Sequence, residues 1–81
     1  MRIRQKSLGD SNIVGEKIVA RRNELGMKQK ELLVQLQING IDLTSSGLSK
    51  IEGQFRTVSD YELKEIAKIL DVSVDWLLDI K

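Results

Sequence analysis

From Met27 to Glu52 the chain reads MKQKELLVQLQINGIDLTSSGLSKIE, and the spacing of its apolar residues leaves few folds open. Leu32, Leu33 and Leu36, with Met27 ahead of them, recur at three- and four-residue steps, which puts them on one side of an α-helix facing a core. Leu48 and Ile51 repeat the pattern, while Ser45, Ser46, Ser49 and Lys50 fall on the opposite side. Just before them, Thr44 has a hydroxyl that can accept from an orphan backbone N–H of a first helical turn. The stretch reads as two short helices joined by Gln37 to Leu43, in which Asn39-Gly40 marks a turn or a helix end. Ile38, Ile41 and Leu43 are too apolar for a free loop, so this connection is expected to pack against the core.

Composition narrows the function. At 81 residues the chain makes one small domain, which must close its core with several short helices and keeps only a few kcal/mol of margin. It contains neither cysteine nor histidine, so disulfides, thiolate metal sites, the usual zinc ligands and the commonest general base are missing. An enzyme is not expected, and no cofactor is called for. No apolar run reaches the roughly 18 residues of a membrane span, and the opening MRIRQK lacks the apolar segment of a signal peptide. The expected location is the cytoplasm. The net charge is only +1, but residues 1–56 hold ten Lys/Arg against six Asp/Glu and residues 57–81 hold three against six, a split of +4 and −3. The basic part contains the second helix of the central stretch, as expected if one side meets phosphate and the other faces away. The polar face of that helix is free of carboxylates and can present small side chains to base edges in the major groove of DNA.

Residues 1–11 carry Arg2, Arg4 and Lys6 with little to bury and are expected to form a flexible basic arm, of a kind that can follow the DNA backbone. The domain proper is 12–81. Its first helix should start near Ile13, capped by Asn12 or Ser11, and run to Leu25 before Gly26, with Val14, Ile18 and Leu25 facing inward. Arg22 lies on that inner side and wants a partner, and Glu52 is on the Leu48/Ile51 side of its own helix. The two are expected to pair and to fix the tilt of the polar helix. Ser59-Asp60-Tyr61-Glu62 is a capping box leading into Leu63, Ile66, Ala67 and Leu70 at helical spacing. Ser73 caps a short fifth helix from Val74 to about Asp79, whose Trp76, Leu77 and Leu78 are expected in the core.

This order of motifs, VGEKIVARRNELGMKQKEL leading into LSKIEG and ending in EIAKILDVSVDWLL, resembles the helix-turn-helix domain of the Cro and phage-repressor type, the XRE family. The resemblance runs from about Val14 to Leu78. It rests on Arg22, Gly26, Gln29, Glu31-Leu32, Ser49-Lys50-Ile51-Glu52, Ile66-Ala67 and Val74 to Leu78. It implies an all-α, five-helix, lambda-repressor-like fold whose third helix enters the major groove, with Gln29 holding a phosphate and Arg22 pairing with Glu52. The connection at Gln37 to Leu43 exceeds the family's usual turn by about five residues, and Gly53-Gln54-Phe55 replaces the family's frequent Asn-Gly-Lys.

The expected DNA-binding residues are Lys28, Gln29, Thr44, Ser45, Ser46, Ser49, Lys50 and Arg56. The serine hydroxyls donate or accept without strong preference among bases, although a serine at a helix start also serves as a cap. Lys50 suits guanine acceptors or a phosphate, and Arg56 a phosphate. Lys28 and Gln29 open a helix whose N–H groups favour a phosphate oxygen, with plain solvation the other role for Lys28. Phe55 falls either in an interface or back on the core. The expected function is a sequence-specific double-stranded DNA-binding regulator, a repressor, acting as a homodimer on paired half-sites. The alternative is an antitoxin-type protein-interaction module whose main partner is a toxin, since fold alone does not fix function.

Overall fold

Helices start in this chain where a side-chain oxygen can take an orphan N–H. In the computed structural model, which describes residues 9–80, five helices and no strand occur among the described residues. They are α1 (Gly15–Glu24), α2 (Gln29–Ile38), α3 (Ser45–Glu52), α4 (Asp60–Leu70) and α5 (Val74–Leu77). Thr44 Oγ1 accepts from Gly47 N at 3.0 Å, Ser59 Oγ from Glu62 N at 3.2 Å and Ser73 Oγ from Trp76 N at 3.0 Å. Each hydroxyl satisfies one donor that the first turn leaves open. Asn12 does the same for α1, its Oδ1 accepting from Val14 N at 3.1 Å and Gly15 N at 2.9 Å. By folding residues 13 and 14 into that turn, it moves the helix start from the expected Ile13 to Gly15.

Every helix sends side chains to one core: Val14 and Ile18 around α1, Leu32 and Leu36 from α2, Leu48 and Ile51 from α3, Ile66, Ala67 and Leu70 from α4, and Leu77 from α5. Truncating one of the large ones to Ala typically costs about 2–5 kcal/mol, a large part of the stability of a domain this size. Met27 and Leu33 pack at the edge of this cluster. α3 is held between α1 and α2, while α4 closes the other side against α1, α2 and α5. Where α1 meets the end of α3 the backbones nearly touch, since a Cβ on Gly15 would stand 2.5 Å from Ile51 O.

Several expectations are corrected. Leu25 is the C-cap of α1, beyond the last helical residue, and is 43% exposed rather than inward. In the α2–α3 connection Leu43 is buried and Ile41 packs on the core, but Ile38 ends α2 on its outer side and is 71% exposed. Asn39 and Gly40 (φ +86°) then reverse the chain. Trp76 is 38% exposed, with Lys17 Nζ 4.8 Å above its ring centre, and the same ammonium donates to Trp76 O and Asp79 Oδ1. Its ring is a half-solvated platform for a cation, and Leu77 alone of the trio is fully buried. Of the expected basic arm, Arg2, Arg4 and Lys6 lie outside the described residues. The end of that segment is tied down, with Gly9 N donating to Gly53 O at 2.8 Å and Ser11 N to Gln54 O at 2.9 Å. No helix among the described residues is long and apolar enough to cross a membrane.

Candidate nucleic-acid interface

The eight residues of α3 divide into two faces. Leu48, Ile51 and Glu52 are buried, whereas Ser45, Ser46, Ser49 and Lys50 are exposed, with exposed Thr44 at the cap. The underside is thus anchored by two aliphatic side chains and one carboxylate. The outer side carries hydroxyls and a single ammonium.

Glu52 is the junction that sets this orientation. Arg22 meets it as a fork, Nε to Oε2 at 3.0 Å and Nη2 to Oε1 at 3.1 Å, while Gln29 Nε2 donates to Oε1 at 2.9 Å. Arg22 Nη1 also donates to Met27 O at 2.9 Å. One carboxylate on α3 is therefore bound to α1 and to the first residue of α2. A carboxylate that is only 8% exposed must be matched in this way, because a buried charge left unpaired is costly. Gln29 completes the link on the other side, its Oε1 accepting from Ser49 Oγ at 3.3 Å. The start of α2 and the outer face of α3 form one continuous surface.

Between them lies a cleft of about 260 Å³ lined by Gln29, Lys30, Leu33, Ser45 and Leu48. Its floor is apolar and its rim polar and basic. Lys28 is exposed beside it, although its backbone N–H is already taken by Glu31 Oε1 at 3.1 Å. The Glu31 carboxylate thus already answers the dipole at the N-terminal end of α2, and Lys28 and Lys30 flank that end with one backbone donor fewer than the sequence suggested.

Arg56 is the expected site residue whose setting differs most. Its guanidinium is clamped to Glu62, Nη1 to Oε1 at 3.0 Å and Nη2 to Oε2 at 2.8 Å, and Nη1 also donates to Thr57 O at 2.7 Å. The Arg56 hydrogen bond, opposed by burial, holds the Glu62 carboxyl below its usual range, and that same bond raises Arg56 above its own. Sequence reasoning missed this pair. Glu62 had a sufficient role as the capping-box acid, accepting from Ser59 N at 2.9 Å, and an irregular loop provides no periodicity to place Arg56 beside it. Asn12 was read as a cap alone, yet its Nδ2 also donates to Ile51 O at 3.1 Å and Arg56 O at 2.8 Å. Phe55 is 57% exposed, with its ring close to Gly9 and Gly53.

A bundle of short helices, with one polar helix supported from below by two others, defines the chain as an all-α helix-turn-helix fold. No protein-family model matches the sequence, and no curated protein matches it. The fold is similar to the crystal structure of the DNA-binding domain of BldD, with a TM-score of 0.64 over 84% of this chain and 92% of that one, at 22% sequence identity.

Proposed function

We propose that this chain is a sequence-specific double-stranded DNA-binding regulator of the XRE type, a repressor that acts by occupying its site as a homodimer. The observation that carries the reading is the exposed face of α3, on which Ser45, Ser46, Ser49 and Lys50 stand clear of the core while Glu52 locks the helix underneath. On this reading α3 lies in the major groove. Its hydroxyls and Lys50 face base edges or the adjoining phosphate, and Lys28, Gln29 and Thr44 meet the backbone of one strand. The similarity of the fold to a DNA-binding domain supports the same assignment.

Selection of bound duplexes from a random pool tests it. A consensus with two inverted half-sites is expected, and Lys50→Ala should weaken binding to that consensus with little change in melting temperature. Recovery of no consensus at all would reject sequence-specific reading. Stable co-purification with a second protein that blocks no DNA contact would favour the antitoxin-type alternative, for which exposed Ile38 and Tyr61 offer apolar contact area.

A further inference from the structure

The loop after α3, residues 53–58, holds one charged side chain, Arg56. Its position gives that charge a natural target. The eight residues of α3 span about 12 Å at about 1.5 Å per residue, close to the width of the B-DNA major groove. A loop leaving the end of such a helix arrives at the groove wall, where the sugar-phosphate strand runs. An arginine there would ordinarily pair with phosphate.

We propose that Glu62 is an internal counter-anion that withholds the Arg56 guanidinium from the nucleic-acid backbone, so that this loop meets the phosphates as a neutral surface. The inference rests on the DNA-binding reading above and adds to it which charges take part.

Both partners are fixed before any ligand arrives. Glu62 is buried in the first turn of α4, where its Oε1 also accepts from Ser59 N. Asn12 grips the carbonyl of Arg56 at 2.8 Å, and Phe55 N donates to Lys50 O at 2.7 Å, so the loop backbone is held on both sides. For a phosphate to recruit the guanidinium, two charge-assisted hydrogen bonds would have to break. A carboxylate would then be left buried and unpaired beside a polyanion. The donors of Arg56 that the pair leaves over can touch a phosphate oxygen, but a neutral pair displaces no counterion from the duplex.

The salt dependence of DNA binding measures this directly, because each phosphate neutralised adds about 0.9 to the slope of log K against log salt. The probe is a mixed-sequence duplex, titrated by fluorescence anisotropy with the full chain. Arg56→Gln alone is no neutral control, because it sets a bare Glu62 carboxylate beside the phosphates, so its slope should be no steeper than that of wild type. Glu62→Gln keeps an oxygen for Ser59 N but frees the cation, so its slope should steepen by about 0.9, and Glu62→Gln with Arg56→Gln should return it to the wild-type value. A Glu62→Gln slope equal to wild type overturns the proposal, as does a slope shallower than wild type in the double variant. In both cases the DNA-binding reading stands. Absence of salt-dependent binding by wild type overturns both. Should Glu62→Gln fail to fold, the double variant decides: a slope equal to wild type supports the proposal, and a shallower one overturns it.

Discussion

Arg22 and Glu52 were legible from helical faces alone, because each is the one charged residue on the inner side of an otherwise apolar stripe. The structure adds a third member, Gln29, and shows why Arg22 carries more than a pair, since it also closes onto Met27 O. Arg22→Ala would leave Glu52 buried with one neutral donor, at a cost of about 3 kcal/mol, the lower end of the range for a broken buried pair. In a domain of this size that amounts to a fall in Tm of roughly 12–24 °C. Lys64→Ala, exposed on α4, is the control and should leave Tm nearly unchanged. Lys17 would be a poor control because it bonds Asp79 and covers Trp76. Equal melts for Arg22→Ala and Lys64→Ala would show that the buried fork contributes nothing. The Arg56–Glu62 pair makes a second residue-scale prediction. Hydrogen bonding to Arg56 lowers the Glu62 carboxyl from its ordinary value, so its contribution is complete above an unfolded pKa of about 4.3 and fades as pH falls through the lowered folded value. The Tm advantage of wild type over Glu62→Gln should therefore be largest near neutral pH and shrink on acidification to about pH 3. A difference independent of pH would mean that the charge of Glu62 plays no part.

Among the elements, those announced by a cap and a stripe together were legible to within a residue or two. Thr44, Ser59 and Ser73 each precede the helix they were expected to start. What a stripe does not report is how far the neighbouring elements extend. Leu25 continues the Ile18 side of α1, and Ile38 adds to the apolar run of α2, but each stands at a helix end beyond the reach of the core. Trp76 fails for a different reason, since an aromatic ring can satisfy itself with a lysine stem and ammonium on one face and water on the other. Contacts between irregular segments were the least legible. Gly9 and Ser11 hydrogen-bonding to the loop after α3, and Asn12 spanning from α1 to Arg56, depend on backbone carbonyls that no residue type advertises. The long α2–α3 connection is accommodated because Leu43 reaches the core and Gln37 Nε2 donates to Leu43 O at 3.0 Å, which ties its two ends together.

At the scale of the whole molecule, the charge split seen in the sequence becomes a matter of which cations are free. Among the described residues Arg22 and Arg56 are consumed by buried carboxylates, Lys17 by Asp79 and Arg21 by Glu24 and Leu70 O, which leaves exposed Lys28, Lys30 and Lys50 at the start of α2 and on α3, with Lys64 and Lys68 on α4. Three ammonium groups beside a few hydroxyls form a small footprint. A single module of this kind covers about 600–1,000 Å² of protein surface on DNA, and its nonspecific attraction falls steeply with salt. On the proposed function, tight binding at physiological salt then needs a second copy on the same duplex, with the two α3 helices one helical turn apart, about 34–36 Å. A duplex carrying two inverted half-sites at that spacing should bind with a sigmoidal titration and at least about a hundredfold more tightly than one carrying a single half-site, since joining two weak contacts on one molecule raises apparent affinity by about 10²–10⁴. Shifting one half-site by about five base pairs, half a helical turn, should abolish the gain by placing the second site on the opposite side of the duplex. Anisotropy titrations on the three duplexes measure this, and equal affinity for all three would reject the dimeric mode of binding.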